Sequence, residues 1–249
     1  MSENNRVLIL GATSSIAEHW ARGRAEAGDH LLLVGRSKDK LDPIATDLTA
    51  RGAKSVDVFV TDLADLEDQD RRFGKMVEAL GGLDLVLLAY GELGDQERGQ
   101  ADAGFLRRIL VNNFTSAAIW AELAAGELER RGKGSLVVLS SVAGDRGRRI
   151  GYSYGAAKGG LTRYVEGLAH RFAGSKVHVL CVKPGPVDTP MTAHMQKGGP
   201  LWSTPEKVAA DIEAAITKRK VVIYTPWFWW GIMMIIRHLP RIIFNKMNI

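Results

Sequence analysis

Short apolar runs alternate with longer amphipathic segments along the chain. The runs cover residues 6–10, 30–34, 56–60, 83–89, 135–140, 176–182 and 221–224. Such runs predict strands, and the segments between them are long enough for helices. We therefore predict a single-domain α/β fold, a Rossmann-like doubly wound parallel sheet with helices on both faces. Ligands bind such sheets at the carboxyl ends of the strands.

The segments between the runs predict the helices. One ends at about residue 27, and others cover about 38–51, 66–80, a long segment around Asn113, and 153–173. A further helix begins at Thr204-Pro205-Glu206, with threonine as its cap and proline in its first turn. A polar stretch up to about residue 101 and a loop over 184–204 separate the later elements.

The turn after the first run has the composition of a phosphate-binding site. It reads Gly11-Ala12-Thr13-Ser14-Ser15-Ile16-Ala17 and opens the first predicted helix. Free N–H groups and the helix dipole attract phosphate at such a helix start. Of the three glycines usual in dinucleotide sites only Gly11 is present, with Ser15 and Ala17 at the other two positions. By itself the turn fits a phosphate site and a plain tight turn equally well.

Arg36 follows the second predicted strand, at the position whose side chain distinguishes NAD from NADP. NAD sites carry a carboxylate there for the ribose 2′-hydroxyl, whereas an arginine pairs with the 2′-phosphate of NADP. Lys38 and Lys40 follow, and the first acid is Asp39. We therefore predict NADP(H), against the alternative of a solvated basic turn. Asp62, after the third strand, is placed to reach the adenine amino group unless it too belongs to a solvated turn.

Tyr154 and Lys158 stand four residues apart in one predicted helix, with only small residues between them. This spacing puts both side chains on one helix face. Ser141 lies upstream, at the end of an apolar run. A phenol has a pKa of about 10, and the nearby ammonium is expected to lower it. We predict Tyr154 as the general acid for a ketone oxygen and Ser141 as its hydrogen-bond donor. For the pair alone, a solvated helix face is the alternative.

Taken together, these motifs resemble the short-chain dehydrogenase/reductase family in its shorter branch. The matching segments are Gly11-Ala12-Thr13-Ser14-Ser15-Ile16-Ala17, Asp62-Leu63, Leu88-Ala89-Tyr90-Gly91, Asn113, Ser141, Tyr154-Gly155-Ala156-Ala157-Lys158 and Pro184-Gly185-Pro186-Val187-Asp188-Thr189. The chain departs from the family pattern at two of them. The first turn lacks two glycines, and Leu-Ala-Tyr-Gly stands where the family has Asn-Asn-Ala-Gly. Both departures bear on cofactor contacts and sheet packing more than on chemistry.

The resemblance implies further roles around the predicted acid. Lys158 would hold the nicotinamide ribose hydroxyls, and Asn113 would fix its helix and a water that relays protons to Lys158. We prefer Asn113 to the adjacent Asn112. Tyr152 lacks a lysine four residues on, and Ser140 should face the opposite side of its strand. The predicted catalytic residues are Asn113, Ser141, Tyr154 and Lys158.

By the same resemblance, the loop after the sixth strand meets the nicotinamide, with the Val187 backbone and Thr189 at its carboxamide. The predicted cofactor-binding residues are Gly11, Thr13, Ser14, Ser15, Ile16, Arg36, Asp62, Leu63, Ala89, Tyr90, Gly91, Tyr154, Lys158, Pro184, Gly185, Val187 and Thr189. Residues 191–203 are predicted to form a substrate lid, with an ordinary surface loop as the alternative. The apolar residues predicted to line its pocket are Met191, Met195, Leu201 and Trp202.

Composition narrows the class of protein. The chain is 46% hydrophobic and 24% charged, which is typical of a soluble protein. Its single cysteine, Cys181, lies in an apolar run and is predicted to pack in the core, and we predict no metal site. The polar start predicts no signal peptide, so a cytoplasmic location is expected. The net charge of +5 suits phosphate ligands or an anionic membrane surface, and no nucleic-acid motif or partner is predicted.

Residues 227–249 form an apolar and basic tail after a predicted cofactor-binding domain of residues 1–226. The tail begins with Trp227-Phe228-Trp229-Trp230 and carries three fixed positive charges and no acid. Its first apolar run is far shorter than the about 20 residues that cross a bilayer. Aromatic and basic residues together fit peripheral contact with the inner face of a membrane, a subunit contact, or a helix packed on the chain's own core. The sequence leaves these alternatives open.

We therefore predict an NADP(H)-dependent oxidoreductase that transfers hydride between NADPH and a ketone or secondary alcohol. The family resemblance implies a homodimer or homotetramer. The Leu88-Ala89-Tyr90-Gly91 turn, the lid and the tail also resemble, more weakly, the reductases of a decaprenylphosphoryl 2-keto-pentose. A lipid-linked keto-sugar is therefore one predicted substrate. The alternatives are a reductase of another apolar ketone or acyl substrate, and a non-catalytic NADP-binding sensor or scaffold at the membrane.

Overall fold

The computed structural model describes residues 4–247, so the last two residues of the predicted tail lie outside the description. The strands are β1 Arg6–Leu10, β2 His30–Gly35, β3 Ser55–Val60, β4 Leu85–Leu88, β5 Gly134–Leu139, β6 Val177–Pro184 and β7 Val222–Thr225. They form one sheet in the order β3-β2-β1-β4-β5-β6-β7. Every neighbouring pair is parallel. The predicted doubly wound parallel sheet is confirmed.

Helices cover both faces of this sheet. They are α1 Ser15–Glu26, α2 Lys38–Ala50, α3 Gln69–Leu80, α4 Gln96–Ala101, α5 Ala103–Leu110, α6 Ser116–Arg131, α7 Tyr152–Arg171, α8 Pro205–Thr217, α9 Trp229–His238 and α10 Arg241–Phe244. A π-helical segment, Val111–Thr115, joins α5 to α6. Buried side chains of α1, α2 and α8 pack on one face of the sheet, and those of α3, α6 and α7 pack on the other.

Alternate residues of each strand enter two hydrophobic cores. In β1, Val7 and Ile9 belong to the core under α1, α2 and α8, whereas Leu8 and Leu10 belong to the core under α3, α6 and α7. Because successive strand side chains point to opposite faces, a strand covered on both sides has to be apolar at every position. This explains why the central strands are continuous apolar runs.

The order of the strands reverses beside β1, which lies between β2 and β4. The crossovers from β1 and β4 therefore leave in opposite directions and open a crevice at the carboxyl ends of the strands. The turns after these strands touch there, because a Cβ built on Gly11 would lie 2.6 Å from the Tyr90 Cβ. Gly11 also has a φ of 90°. Both observations require glycine at this position.

Some predicted boundaries differ from the structure. The third helix begins at Gln69 rather than at about residue 66, because Asp68 adopts a left-handed φ of 51°. The polar stretch before residue 101 contains α4, whose start is capped by the Asp95 carboxylate accepting from the Arg98 N–H at 2.8 Å. β4 is shorter than the predicted 83–89, although the Ala89 N–H still donates to the carbonyl of Leu10 at 2.9 Å.

The tail has an inner and an outer face. Trp229 and Met233 of α9 are buried against Val142. Arg146 donates to the carbonyl of Leu239 at 2.8 Å, which ties the end of α9 to the body of the protein. The exposed apolar side chains of the outer face are Trp227, Trp230, Ile235, Ile242 and Ile243. The inner face therefore packs on the chain's own core, which was one of the predicted alternatives.

Within residues 4–247, no helix combines the length and the apolar character needed to cross a membrane.

Candidate active site

A cavity of about 640 Å³ opens where the turns after β1, β2, β3, β4, β5 and β6 meet. Every residue predicted to bind the cofactor lines it. Ser141, Tyr154 and Lys158 line it as well, whereas Asn113 lies behind its wall. The parallel sheet thus brings residues from nearly the whole length of the chain to one crevice.

The wall nearest β1 presents the start of α1. Ser14 occupies the N-cap position in an extended conformation and makes no side-chain cap bond to the helix. The N–H groups of the first helical turn have no partner inside the helix. Thr13 and Ser14, just before the helix, line the cavity together with Ser15 and Ile16 of its first turn. This wall therefore offers backbone donors to an anion.

Arg36 lies directly after β2 and lines the same end of the cavity. Its side chain is exposed and forms no ion pair with any residue in the described range 4–247. Asp62 lies nearby in the wall, with Oδ1 accepting from the Ala64 N–H at 2.9 Å. The Trp120 indole fixes the next residue by donating to the Leu63 carbonyl at 2.9 Å. An unpaired guanidinium and an open helix start are donors that fit the phosphates of a dinucleotide.

The short 3₁₀ turn Val142–Asp145 packs directly against α7. A Cβ built on Gly144 would lie 2.6 Å from the backbone nitrogen of Gly159. A Cβ built on Gly155 would lie 3.0 Å from the Ala143 carbonyl oxygen. The small residues around Tyr154 and Lys158 therefore serve the close approach of this turn. That approach holds Ser141, the residue before the turn, beside the catalytic helix.

Tyr154 and Lys158 are held in poorly solvated surroundings. Burial raises the pKa of Tyr154, and the Ser141 hydroxyl acts in the opposite direction. Burial lowers the pKa of Lys158 to about 8. The Lys158 ammonium donates to the Leu139 carbonyl at 2.9 Å. The predicted lowering of the Tyr154 pKa is therefore wrong for this structure, because loss of solvation dominates and the ammonium is directed at a backbone carbonyl.

Asn113 fixes the chain beside Lys158. It is fully buried in the π-helical segment, and its amide group donates to the Glu92 carbonyl at 2.9 Å and accepts from the Glu92 N–H at 3.1 Å. Gly91 lies between the two side chains, since a Cβ built there would be 2.6 Å from Asn113 Oδ1 and 3.4 Å from Lys158 Nζ. The adjacent Asn112 lines the cavity instead, which the sequence analysis did not anticipate.

Ser140 also lines the cavity, although the sequence analysis set it aside. Its hydroxyl donates to the Lys158 carbonyl at 3.0 Å and lies 2.6 Å from the Thr162 hydroxyl. Ser140 therefore holds α7 against the end of β5, and its hydroxyl is occupied by these contacts.

Only part of the predicted lid pocket lines the cavity. Met191 and Met195 lie in its wall, as predicted. Leu201 and Trp202 do not, so that part of the prediction is wrong. The physical reason is Trp229 of α9, whose indole donates to the Leu201 carbonyl at 3.2 Å and holds that segment at the tail.

Trp229 makes the tail part of the site. Its side chain is buried and lines the cavity. The indole lies against Gly185, where any Cβ would overlap the Trp229 Nε1. This contact was not predicted from the sequence, although the run of tryptophans in the tail was a visible signal. Other lining residues that were not predicted include Leu93, Gln96, Arg148 and Ile150.

A buried ion pair supports the turn after Ser141. Lys183 at the end of β6 donates to Asp145 Oδ1 at 2.6 Å, and the Tyr224 hydroxyl donates to Asp145 Oδ2 at 2.7 Å. Both charged side chains are only 3% exposed. Burial opposes the charge on Lys183, but the Asp145 carboxylate raises the pKa of that ammonium above its usual value. Sequence reasoning missed this pair, although a lysine inside an apolar strand was a visible signal.

Proteins similar in sequence share nearly the whole length of this chain. The family model for short chain dehydrogenases matches residues 5–199. An oxidoreductase of Mycobacterium tuberculosis with uncharacterised activity is 36% identical over 241 residues, covering 97% of this chain and 96% of that protein. An uncharacterised oxidoreductase of Streptomyces coelicolor is also 36% identical over 242 residues, covering 97% of this chain and 95% of that protein.

Two solved structures share the fold. Actinorhodin polyketide ketoreductase with NADPH superimposes with a TM-score of 0.80 at 20% identity, covering 92% of this chain and 98% of that one. A short chain dehydrogenase of Mycobacterium paratuberculosis bound to NAD superimposes with a TM-score of 0.77 at 22% identity, covering 89% and 96%. These neighbours hold different forms of the cofactor, so the fold alone does not select one. On the family model and the 36% identical relatives, the chain belongs to the short-chain dehydrogenase/reductase family of oxidoreductases.

Proposed function

We propose that this protein is an NADP(H)-dependent reductase that transfers hydride between NADPH and a ketone or secondary alcohol. The observation that carries the proposal is that Ser141, Tyr154 and Lys158 line one cavity together with Arg36 and the start of α1. A proton-donating group and a dinucleotide-binding surface within one cavity are what a carbonyl reduction needs.

The residues divide the cavity between binding and chemistry. The first turn of α1 binds the pyrophosphate, and Arg36 pairs with the 2′-phosphate. Asp62 and Leu63 flank the adenine. Residues 89–91 contact the cofactor further along the cavity. The loop from Pro184 to Thr189 contacts the nicotinamide, with the Trp229 indole behind Gly185.

The bound nicotinamide supplies the hydride for reduction. Ser141 donates a hydrogen bond to the substrate carbonyl oxygen and orients it. Tyr154 gives its phenolic proton to that oxygen as negative charge develops. Because burial raises the pKa of Tyr154, the phenol holds its proton near neutral pH. Lys158 stabilises the phenolate that remains. Asn113 holds the backbone of Gly91 and Glu92 beside Lys158 through its two hydrogen bonds to Glu92.

Arg36→Gln tests the choice of cofactor. We expect the native chain to bind NADPH more tightly than NADH, and the variant to lose about 10- to 100-fold in NADPH affinity because a charge-assisted bidentate contact is removed. Affinity for NADH should change little by comparison. Calorimetric titration of both cofactors measures this directly.

Arg107→Gln is the matched control, since Arg107 is an exposed arginine of α5 outside the cavity. Equal affinity of the native chain for NADPH and NADH, or equal losses in the two variants, would remove Arg36 from the proposed site. Tight NADPH binding without turnover of any carbonyl would instead favour the non-catalytic sensor or scaffold.

We further propose that the outer face of the tail makes peripheral contact with an anionic membrane. Trp227 is 79% exposed, Ile235 is 66% exposed and Ile242 is 77% exposed. Arg237 of α9 and Arg241 of α10 are also exposed. Exposed aromatic and aliphatic groups beside cations suit the boundary between anionic headgroups and acyl chains. A site at the membrane suits a lipid-linked keto-sugar, and another apolar ketone is the alternative substrate.

A triple serine variant at Trp227, Ile235 and Ile242 tests this contact. We expect its partition onto phosphatidylglycerol-containing vesicles to fall at least about 10²-fold, because three apolar side chains no longer leave water. Cosedimentation with vesicles provides the measurement. Leu66→Ser, at a 43% exposed leucine away from the tail, is the control.

Equal sedimentation of the native chain and the triple variant would contradict membrane contact through this face.

We propose that the protein works as a homodimer or homotetramer. Sedimentation velocity without vesicles shows whether the same three substitutions dissociate the oligomer, in which case the outer face is a subunit contact.

A further inference from the structure

The loop between the 3₁₀ turn and α7 carries three arginines with different roles. Arg146 donates to the Leu239 carbonyl at 2.8 Å, and Arg149 donates to the Asn245 carbonyl at 2.9 Å. These two side chains hold the tail. Arg148, between them, lines the cavity and belongs to the segment that connects Ser141 to Tyr154.

Arg148 has no protein partner for its charge. Within residues 4–247 its guanidinium takes part in no ion pair and no side-chain hydrogen bond. Asp145 attracts it, but the two carboxylate oxygens of Asp145 already accept from Lys183 and Tyr224. Burial lowers the pKa of Arg148, which reflects the loss of water around the group. An arginine stays protonated in proteins, so this partly desolvated cation favours an anionic partner.

Two other polar atoms in the same wall are buried without a partner. They are Gln96 Nε2 and Ser153 Oγ, and both residues line the cavity. Ser153 is 7% exposed and adjoins Tyr154. The other amide atom of Gln96, Oε1, accepts from the Ser153 N–H at 2.8 Å at the start of α7. Neither atom is exposed to solvent, so neither contacts a ligand in the cavity unless its side chain rearranges.

Acidic residues in the cavity wall do not offset this charge. Asp62 lies at the opposite end, beside Arg36 and the start of α1. Asp95 caps α4 by accepting from the Arg98 N–H at 2.8 Å. The two arginines that line the cavity, Arg36 and Arg148, are thus both without an ion-pair partner in the described part of the chain.

We propose that Arg148 binds an anionic group, a carboxylate or a phosphate, on the carbonyl substrate. The inference rests on the proposed function, since it places this anion at the end of the cavity where Tyr154 protonates the carbonyl oxygen. The guanidinium fork suits either oxyanion because both offer two oxygens in one plane. Arg148 therefore determines which ketones the enzyme accepts.

Ketone pairs in which one member carries the anionic group and the other is its neutral ester or its unphosphorylated form test the proposal. The pairs are pyruvate and methyl pyruvate, acetoacetate and methyl acetoacetate, levulinate and methyl levulinate, and dihydroxyacetone phosphate and dihydroxyacetone. In the native chain with NADPH, at least one charged member should exceed its neutral partner in kcat/KM by about 10- to 100-fold. Whether a carboxylate or the phosphate shows this preference identifies the anion.

Arg148→Gln should reduce that ratio by the same factor, chiefly through KM, and Arg148→Lys should restore part of it. Arg107→Gln should keep the native ratio. A native chain without a charge preference, or a preference that survives in Arg148→Gln, overturns the proposal.

Equilibrium binding separates this inference from the proposed function. The same pairs are titrated calorimetrically into the full chain with NADPH present. If no ketone is reduced, the proposed reaction fails. Tighter binding of a charged probe that is lost in Arg148→Gln still supports the anion site, whereas equal binding of charged and neutral probes overturns it.

Discussion

Tyr154→Phe should lower kcat for carbonyl reduction by about 10²- to 10⁴-fold, because the variant keeps the ring and loses only the proton donor. The phenol belongs to a residue that lines the cavity together with Ser141 and Lys158, and its raised pKa keeps it protonated near neutral pH. Phenylalanine fills the same space, so the packing of α7 against the turn after Ser141 should survive. NADPH oxidation in the presence of a reducible ketone gives the rate.

Tyr152→Phe is the control for this substitution. Tyr152 lies on the same helix, is 46% exposed and does not line the cavity. We expect it to retain native activity. If Tyr154→Phe kept more than a tenth of the native kcat, Tyr154 would not be the general acid.

Lys183→Met should destabilise the protein by about 3–5 kcal/mol, because it leaves the Asp145 carboxylate buried without its cation. The two side chains are each 3% exposed and 2.6 Å apart. The Tyr224 hydroxyl, at 2.7 Å from the other carboxylate oxygen, cannot replace a positive charge. The midpoint of urea unfolding and its slope give the free energy of unfolding.

The double variant Lys183→Met with Asp145→Asn should recover most of that loss, since removing both charges of a buried pair costs far less than removing one. Lys38→Met is the matched surface control. Its partner Asp42 is exposed and 2.6 Å away, so unfolding should change little. A single variant at Lys183 that unfolds like the native chain would show that the pair does not stabilise the turn after Ser141.

Much of the fold follows from local pattern. The central strands are apolar at every position because helices cover both faces of the sheet, so their runs are easy to recognise. Parallel strands end at one edge, so turns far apart in sequence, such as those at Gly11, Arg36 and Ser141, could be placed in one cavity before the structure was known.

The remainder depends on contacts that no local pattern encodes. Trp229 of α9 contacts Gly185 and the Leu201 carbonyl, and Lys183 at the end of β6 meets Asp145 in the turn after β5. Asp68 adopts a left-handed backbone conformation, so α3 starts after it, and the surrounding sequence does not predict this conformation. Arg148 looked like one of several loop arginines, and only the structure separates it from the two that hold the tail.

The electrostatics of the site also required the structure. Spacing placed Tyr154 and Lys158 on one helix face, which predicted a lowered pKa for the phenol. Burial decides the outcome instead, raising the pKa of Tyr154 and lowering that of Lys158 to about 8. A one-dimensional pattern gives the neighbours of a titratable group along a helix, but not how much water it loses.

Transfer of deuterium from NADPH labelled at the reactive ring carbon to the product alcohol tests the central claim most directly. The native chain should place the label on the former carbonyl carbon of at least one ketone in the panel, and Tyr154→Phe should do so at least about 10²-fold more slowly. Absence of label in every product, or equal labelling by the two proteins, would contradict hydride transfer with Tyr154 as the proton donor.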